Sequence, residues 1–420
     1  MLVLYLAICG LVGVCSFRLS GRVLCPPVVY SLLWLFGYVA ALMAFGWPTV
    51  SNVNYSLFAL SAVAFALGYF ACFRDQDKGT MASGNNDRKT FGPLLIAALV
   101  VSLLIAASFL SKAVAANALS GSVWTTIRHA LAAGDISLSS MEEYGVQFIC
   151  VLFLVSFYLA VRSNDLKNIC FAILCSIPLA IVFLFSHRGL WFMELIAITA
   201  IWIYVKRPWN GTIVRVAALC VLVIGTIFVV STFSKFGEVA FEDPVDFVVH
   251  YAKLYFAASF EAFSRWLDTE PALLMGDNIL RFPMVVLNAL GFDFMDRGLI
   301  QDYIDIGDGL QTNVYTVLRF YVEDFGILYG LLIQGALGFV YGALDSSVLR
   351  SNCSAPATLI ILCLMYYPLI NSFFDDKFFS ITSSWIQMLF WSFVLTRNLF
   401  IVSDPGIPAA RGCGEEEALS

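Results

Sequence analysis

Residues 311–330, QTNVYTVLRFYVEDFGILYG, run from a polar cluster straight into an apolar stretch. Asn313, Tyr315, Thr316, Arg319, Glu323 and Asp324 could grip a sugar or a phosphate, and the residues after them suit a helix entering a membrane. A cation and two carboxylates at a water–lipid boundary are costly unless paired or used. The pattern predicts that this stretch forms one wall of an active site in a polytopic membrane enzyme.

The rest of the chain agrees with that class. Hydrophobic residues make up 60% and charged residues 13%, against about 25% charged in globular domains. The mean hydropathy is +0.84. No Lys/Arg-rich run or basic stripe occurs, which argues against nucleic acid as a partner. The first apolar stretch, 2–17, has no basic residue before it, so a retained helix is expected rather than a cleaved signal. Eleven cysteines include no CxxC pair, and none falls in 111–144 or 236–322. They suit buried apolar positions or reduced thiols, with the long loops facing an oxidising compartment.

A spanning helix needs about 20 apolar residues. On that criterion eleven spans are expected, near 2–17, 24–46, 55–73, 92–110, 145–161, 168–186, 189–205, 213–233, 324–346, 356–372 and 379–396. The expected fold is all-α, one transmembrane domain over 1–402, followed by a disordered cytoplasmic tail at 403–420. One set of short loops carries Arg18, Arg22, Arg74, Lys78, Arg88, Lys89, Arg162, Lys167, Lys206, Arg207, Arg215, Arg350, Arg397 and Arg411, 14 of the 24 basic residues. By the positive-inside rule that side is cytoplasmic, with the amino terminus outside and the carboxyl terminus inside. The long segments 111–144 and 234–323 then face outward, and so does any active site. The basic loop 74–89 has linker chemistry, and GFVYG (338–342) suits ordinary close helix packing.

The long outer segment has internal order. Asp246, His250, Lys253, Glu261, Ser264 and Arg265 share one face at helical spacing, opposite Phe247, Tyr251, Leu254 and Phe263. Such a helix would lie along the membrane interface with its polar face in water, where it would either only cover the bundle or roof a lipid-headgroup cavity. Its acidic neighbours Asp293, Asp296, Asp302, Asp305 and Asp308 lack EF-hand spacing and suit solvated loop acids, so no metal is expected. In the SHRG turn (186–189), His187 and Arg188 stand at the outer end of a helical hairpin, with Glu194 one to two turns below. Arginine suits phosphate because its planar fork binds two oxygens and its charge does not titrate. Arg188, Arg281 and Arg319 are therefore candidates for an anion clamp on a diphosphate. No P-loop, GxSxG or HExxH occurs, so no nucleotide or zinc cofactor is expected.

The pattern NVYTVLRFYVEDFGILYG (313–330), placed after a long outer loop, resembles the oligosaccharide repeat-unit polymerases, the Wzy-type O-antigen polymerases. The SHRG turn is similar to their Ser-Arg-Gly element. The resemblance implies a glycosyltransferase of the bacterial inner membrane with its site facing the periplasm. It would move a growing glycan from undecaprenyl diphosphate onto a lipid-linked acceptor repeat unit. On this reading Arg188 and Arg319 bind diphosphate, helped by Arg281, while Asn313, Tyr315 and Thr316 orient substrate under the roof carrying His250 and Arg265. Glu323, Asp324 and His250 are the candidate bases. The resemblance makes a chain-length regulator a plausible partner, beside the bilayer and the donor and acceptor glycans. The stretch also looks like the O-antigen ligase motif, where a His precedes the Asn. Thr312 stands there in this chain, which argues against a ligase. A lipid-linked oligosaccharide flippase is the other alternative.

Overall fold

The computed structural model describes residues 2–45, 52–73, 88–120, 139–185, 188–236, 249–251, 253–269, 272–293, 301–307, 310–397 and 399–402. The chain is mostly helical. In order come α1 (Leu2–Ser20), α2 (Pro26–Phe45), α3 (Asn52–Cys72), α4 (Pro93–Ser120), α5 (Ser140–Ser163), α6 (Leu166–Phe185), α7 (Arg188–Lys206) and α8 (Asn210–Phe236). A π-helical turn (Lys253–Ala257) leads into α9 (Ala258–Leu267) and then α10 (Arg281–Ala289). The last three helices are α11 (Val317–Arg350), α12 (Pro356–Asn371) and α13 (Thr382–Arg397).

A helix lies within each of the eleven apolar segments expected from the sequence, the last of them only from Thr382. Among the described residues, seven helices are long and apolar enough to cross a membrane, namely α2, α4 to α8 and α11. Helices α1, α3 and α12 are apolar but shorter. Large apolar side chains such as Leu11 of α1, Phe36 and Met43 of α2, Leu104 of α4, Leu222 of α8 and Phe393 of α13 stay exposed. Soluble monomers rarely leave so much apolar surface uncovered, and lipid is the solvent that suits it. Burial also separates the helices: 61% of the membrane-length window of α5 is buried against 6% of that of α8. Helix α5 is central, and α8 leans on α7 at the edge.

Two short ladders qualify the all-α expectation. Strand β1 (Arg88–Thr90) pairs antiparallel with β4 (Phe400–Val402), so Arg88 and Lys89 are strand residues rather than linker. Strand β2 (Ile304–Gly307) pairs with β3 (Leu310–Thr312) just ahead of α11. Residues 74–87 of the basic loop and the 403–420 tail lie outside the described residues.

Helix α11 organises the bundle. It crosses α3 so closely that a Cβ on Gly338 would sit 2.0 Å from the Phe65 carbonyl oxygen. The GFVYG pattern is thus used within the chain, backbone against backbone. At its other end α11 breaks at Gly326, where φ is 82° and ψ is 173°. Only glycine adopts that conformation readily. The break frees the carbonyls of Glu323 and Asp324, which accept instead from Leu274 N (2.9 Å) and Met275 N (3.0 Å). The short head, 317–325, is thereby bound to the 272–280 segment.

Nineteen residues separate Gly326 from Asp345, about 28 Å of helix at 1.5 Å per residue. That matches the thickness of a hydrocarbon core. The head of α11 and Asp345 therefore stand at opposite ends of the bundle. At the Asp345 end, Arg22 from the α1–α2 turn grips the carboxylate with both terminal nitrogens, at 3.0 and 2.6 Å. Tyr69 and Tyr204 donate to the same carboxylate. Tyr366 bonds to Tyr204 and to the Leu24 carbonyl.

The outer helix departs from expectation. Asp246 lies outside the described residues, but the polar face of α9 is not left wet. Phe260 and Phe263 plug into Trp34 and Phe58 of α2 and α3, with ring centroids 4.8–5.5 Å apart. Glu261 and Ser264 are buried too. The reason is the β2–β3 hairpin, which covers the polar side. Arg265 binds Glu261 at 2.6 Å and donates to the Asp305 carbonyl at 3.2 Å. Helix α10, in contrast, buries none of its residues and exposes Val285 and Val286, with Leu290 exposed just after it, a composition suited to a membrane surface.

Candidate functional site

The site forms where the head of α11, α9, the 272–280 segment and the β2–β3 hairpin meet. Thr316 caps α11 through its extended backbone, and its hydroxyl is buried without a hydrogen bond. One turn on, Arg319 is only 3% exposed. Its guanidinium carbon lies 3.7 Å from the centre of the Tyr315 ring and 5.2 Å from that of Trp266. Both aromatic faces attract the cation. Nε and Nη1 of Arg319 are buried and make no hydrogen bond. The nearest carboxylate oxygen, Oε2 of Glu323, is 3.7 Å from Nε, an ion pair beyond hydrogen-bond reach. Tyr315 is anchored in turn by its hydroxyl, which donates to the Asp302 carbonyl at 2.9 Å. Burial pushes the Tyr315 phenol up from its ordinary value while Arg319 opposes the shift.

The two neighbouring carboxylates do different work. Asp324 accepts from the backbone N–H of Ile279 (2.8 Å) and Asn278 (3.1 Å) and from Nδ2 of Asn278 (3.0 Å). It fixes the turn that starts at Gly276, where φ is 109°. Glu323 accepts from Nδ2 of Asn278 at 3.2 Å and faces the arginine. Asp324 is tied into scaffolding, and Glu323 is the carboxylate at the cation.

Five of the residues singled out in the sequence, Tyr315, Thr316, Arg319, Glu323 and Asp324, thus share one buried cluster. Asn313 is half-buried just upstream. Arg265 joins the cluster's wall by holding the hairpin. His250 packs on Tyr251, ring centres 5.3 Å apart. Arg281 opens α10, three residues beyond Asn278. Arg188 is the first residue of α7, but its side chain, with Ser186 and His187, lies outside the described residues. Glu194 is 3% exposed, with the Cys150 thiol beside its carboxylate.

Sequence reasoning missed Trp266 and Asn278. The Gly276–Asp277–Asn278 run was a legible turn signal, though nothing linked it to Asp324. Trp266 gave no signal, because an aromatic on a helix face is ordinary core chemistry. The ten described cysteines are free, and no cluster of metal-ligating side chains occurs among the described residues.

Comparison with protein-family models, curated proteins and solved structures found no match.

A further buried acid lies under the site, in the turn between α12 and α13. That turn is tied to the head of α11 by Val317 N donating to the Ser372 carbonyl at 2.9 Å. Its Asp376 is 1% exposed and accepts from Phe378 N at 2.9 Å and, at 3.4 Å, from the Tyr321 hydroxyl. Burial pushes its carboxyl up to about 7, against the backbone bonds that pull it down. A folded value above the unfolded one means that the unfolded chain ionises first. Stability then falls as pH rises from about 4 to about 7, by roughly 1.4 kcal/mol per unit at most. Asp376→Asn, which mimics the protonated acid, should flatten this trend in melting curves taken in detergent between pH 5 and 8. An Asp376→Asn slope equal to that of the wild type would remove Asp376 as the cause.

Proposed function

We propose that this chain is a membrane glycosyltransferase that polymerises undecaprenyl-diphosphate-linked oligosaccharide repeat units at the periplasmic face of a bacterial inner membrane. One observation carries the reading. Arg319 stacks its face on Tyr315 and leaves edge donors unmet in a dry site at the head of a membrane-length helix. Buried unmet donors cost about 1–3 kcal/mol each. An entering oxyanion removes that cost, and a lipid diphosphate brings several acceptor oxygens to this depth.

The chemistry follows. A hydroxyl of the acceptor sugar attacks the anomeric carbon of the donor glycan, and the bond from that carbon to the diphosphate oxygen breaks. Charge grows on the departing diphosphate, where Arg319 stabilises it. Glu323, beside Arg319, takes the hydroxyl proton. Asp324 positions the turn around Asn278, and Asn313 and Thr316 orient substrate. Glu323 balances most of the charge of Arg319, so binding a diphosphate calls on Arg281 and Arg188 as well. Because Arg319 is covered by Trp266 and Tyr315, substrate enters by displacing part of that cover.

Deleting the gene should leave cells with single-repeat-unit glycans and no ladder of longer chains, restored by the cloned gene. Purified protein should elongate lipid-linked repeat units in detergent. A normal ladder in the deletion strain would reject the polymerase reading. Loss of lipid-linked units from the outer leaflet, with no elongation by pure protein, would favour a flippase.

A further inference from the structure

At the opposite end of the bundle, a cavity of about 280 Å³ lies between the α1–α2 turn, the α7–α8 turn and the end of α11. Its polar lining is Arg22, Tyr204, Arg207 and Asn210, and no carboxylate lines it among the described residues. Ile203, Ile213 and Leu349 form an apolar wall. Arg22 is committed to Asp345 by its two-pronged ion pair. Arg207 is exposed, and no carboxylate pairs with it among the described ion pairs.

The backbone at Arg207 is unusual. Its N–H closes the last turn of α7 on the Ile203 carbonyl at 2.9 Å, with φ at +46°. Glycine is the usual residue in that left-handed position after a helix, and the following Pro208 restricts it further. The chain keeps a strained arginine there, and this puts a guanidinium on the cavity. Asn210, the first residue of the 27-residue helix α8, lines the same space. The positive end of that helix dipole adds to the field. Since α8 is the least buried of the membrane-length helices, this end of the cavity adjoins the bundle edge.

We propose that this cavity binds a phosphate oxyanion, with Arg207 as the main ligand and Asn210 with the first turn of α8 as further donors. The apolar wall suits the glycerol and first methylenes of an anionic phospholipid. A soluble phosphate would use the same donors without the wall. This site is independent of the proposed transferase chemistry at the other end of the molecule.

The test uses full-length protein in zwitterionic phosphatidylcholine nanodiscs, with phosphatidylglycerol retention read by native mass spectrometry. Wild type should retain phosphatidylglycerol over phosphatidylcholine by about tenfold, the yield of one good charge-assisted contact. Arg207→Gly should lose the preference while melting no lower than wild type in lipid-free detergent, because glycine relieves the strain. Arg207→Gln supplies a second reading should the glycine variant unfold. Lys206→Ala, exposed and off the cavity, should keep the preference. Displacement by excess inorganic phosphate assigns the site to soluble phosphates, and resistance assigns it to the lipid. A preference retained in both Arg207 variants overturns the proposal. So does an equal loss in Lys206→Ala, which would reduce the effect to general surface charge.

Discussion

Replacing Arg319 with alanine should lower glycan elongation by about 10²–10³-fold, the usual loss when one preorganised donor to a developing oxyanion is removed. The size follows from its setting. Arg319 is stacked on Tyr315, buried beneath Trp266 and short of hydrogen bonds, so it meets the leaving group without water having to be cleared. Arg319→Lys keeps the charge and loses the planar fork. It should fall between alanine and wild type. Because alanine also leaves Glu323 without its cation, melting temperature and elution profile should be read alongside. The decisive figure is turnover by protein that still elutes as a single species. Turnover of Arg319→Ala within threefold of wild type would take the arginine out of the reaction. Glu323→Gln tests the proton acceptor. Combined with Arg319→Ala it should lose less than the product of the single effects, since the two groups act as a unit.

Replacing Asp345 with asparagine should be the most damaging single change to stability. The carboxylate is fully buried and takes both prongs of Arg22 together with the hydroxyls of Tyr69 and Tyr204. It ties the α1–α2 turn, α3 and α7 to α11, and Tyr366 extends the ties to α12. Asparagine turns an acceptor edge into an N–H₂ that faces other donors, and it leaves Arg22 without a counter-charge. Removing one partner of a buried ion pair costs about 3–5 kcal/mol, so the melting temperature in detergent should drop by about 3–6 °C for a chain of this length. Adding Arg22→Met should recover part of the loss, because the stranded charge goes with it. If Asp345→Asn melts within a degree of wild type, the knot contributes nothing to holding this end together. Tyr69→Phe removes its hydrogen bond to Asp345 and a longer one from Arg22, and should cost about 1–2 kcal/mol.

The sequence and the structure agree unevenly, and the residues show why. The positions of the apolar helices were legible because each is a local property: about twenty apolar residues either occur in a row or do not. The break at Gly326 and the close pass at Gly338 were written in glycines whose neighbours were not. The polar face of α9 was misread, since helical spacing shows which residues share a side and not what covers that side. Here the β2–β3 hairpin covers it, and Glu261 is buried where water was expected.

The candidate site divides the same way. Tyr315, Thr316, Arg319, Glu323 and Asp324 stand within ten residues on one helical entrance, so their proximity could be read from the chain. What each of them does could not. Asn278 reaches Asp324 across 46 positions, and Trp266 comes from a different helix to cover Arg319. Those contacts make Asp324 a positioning carboxylate, leave Glu323 beside the cation, and leave the donors of Arg319 unmet. By itself the sequence determined a helical membrane protein with a charged entrance to one long helix, because hydropathy and spacing act over one or two turns. Only the tertiary structure decided which of those charges are satisfied, because burial and hydrogen bonding depend on segments that meet by folding.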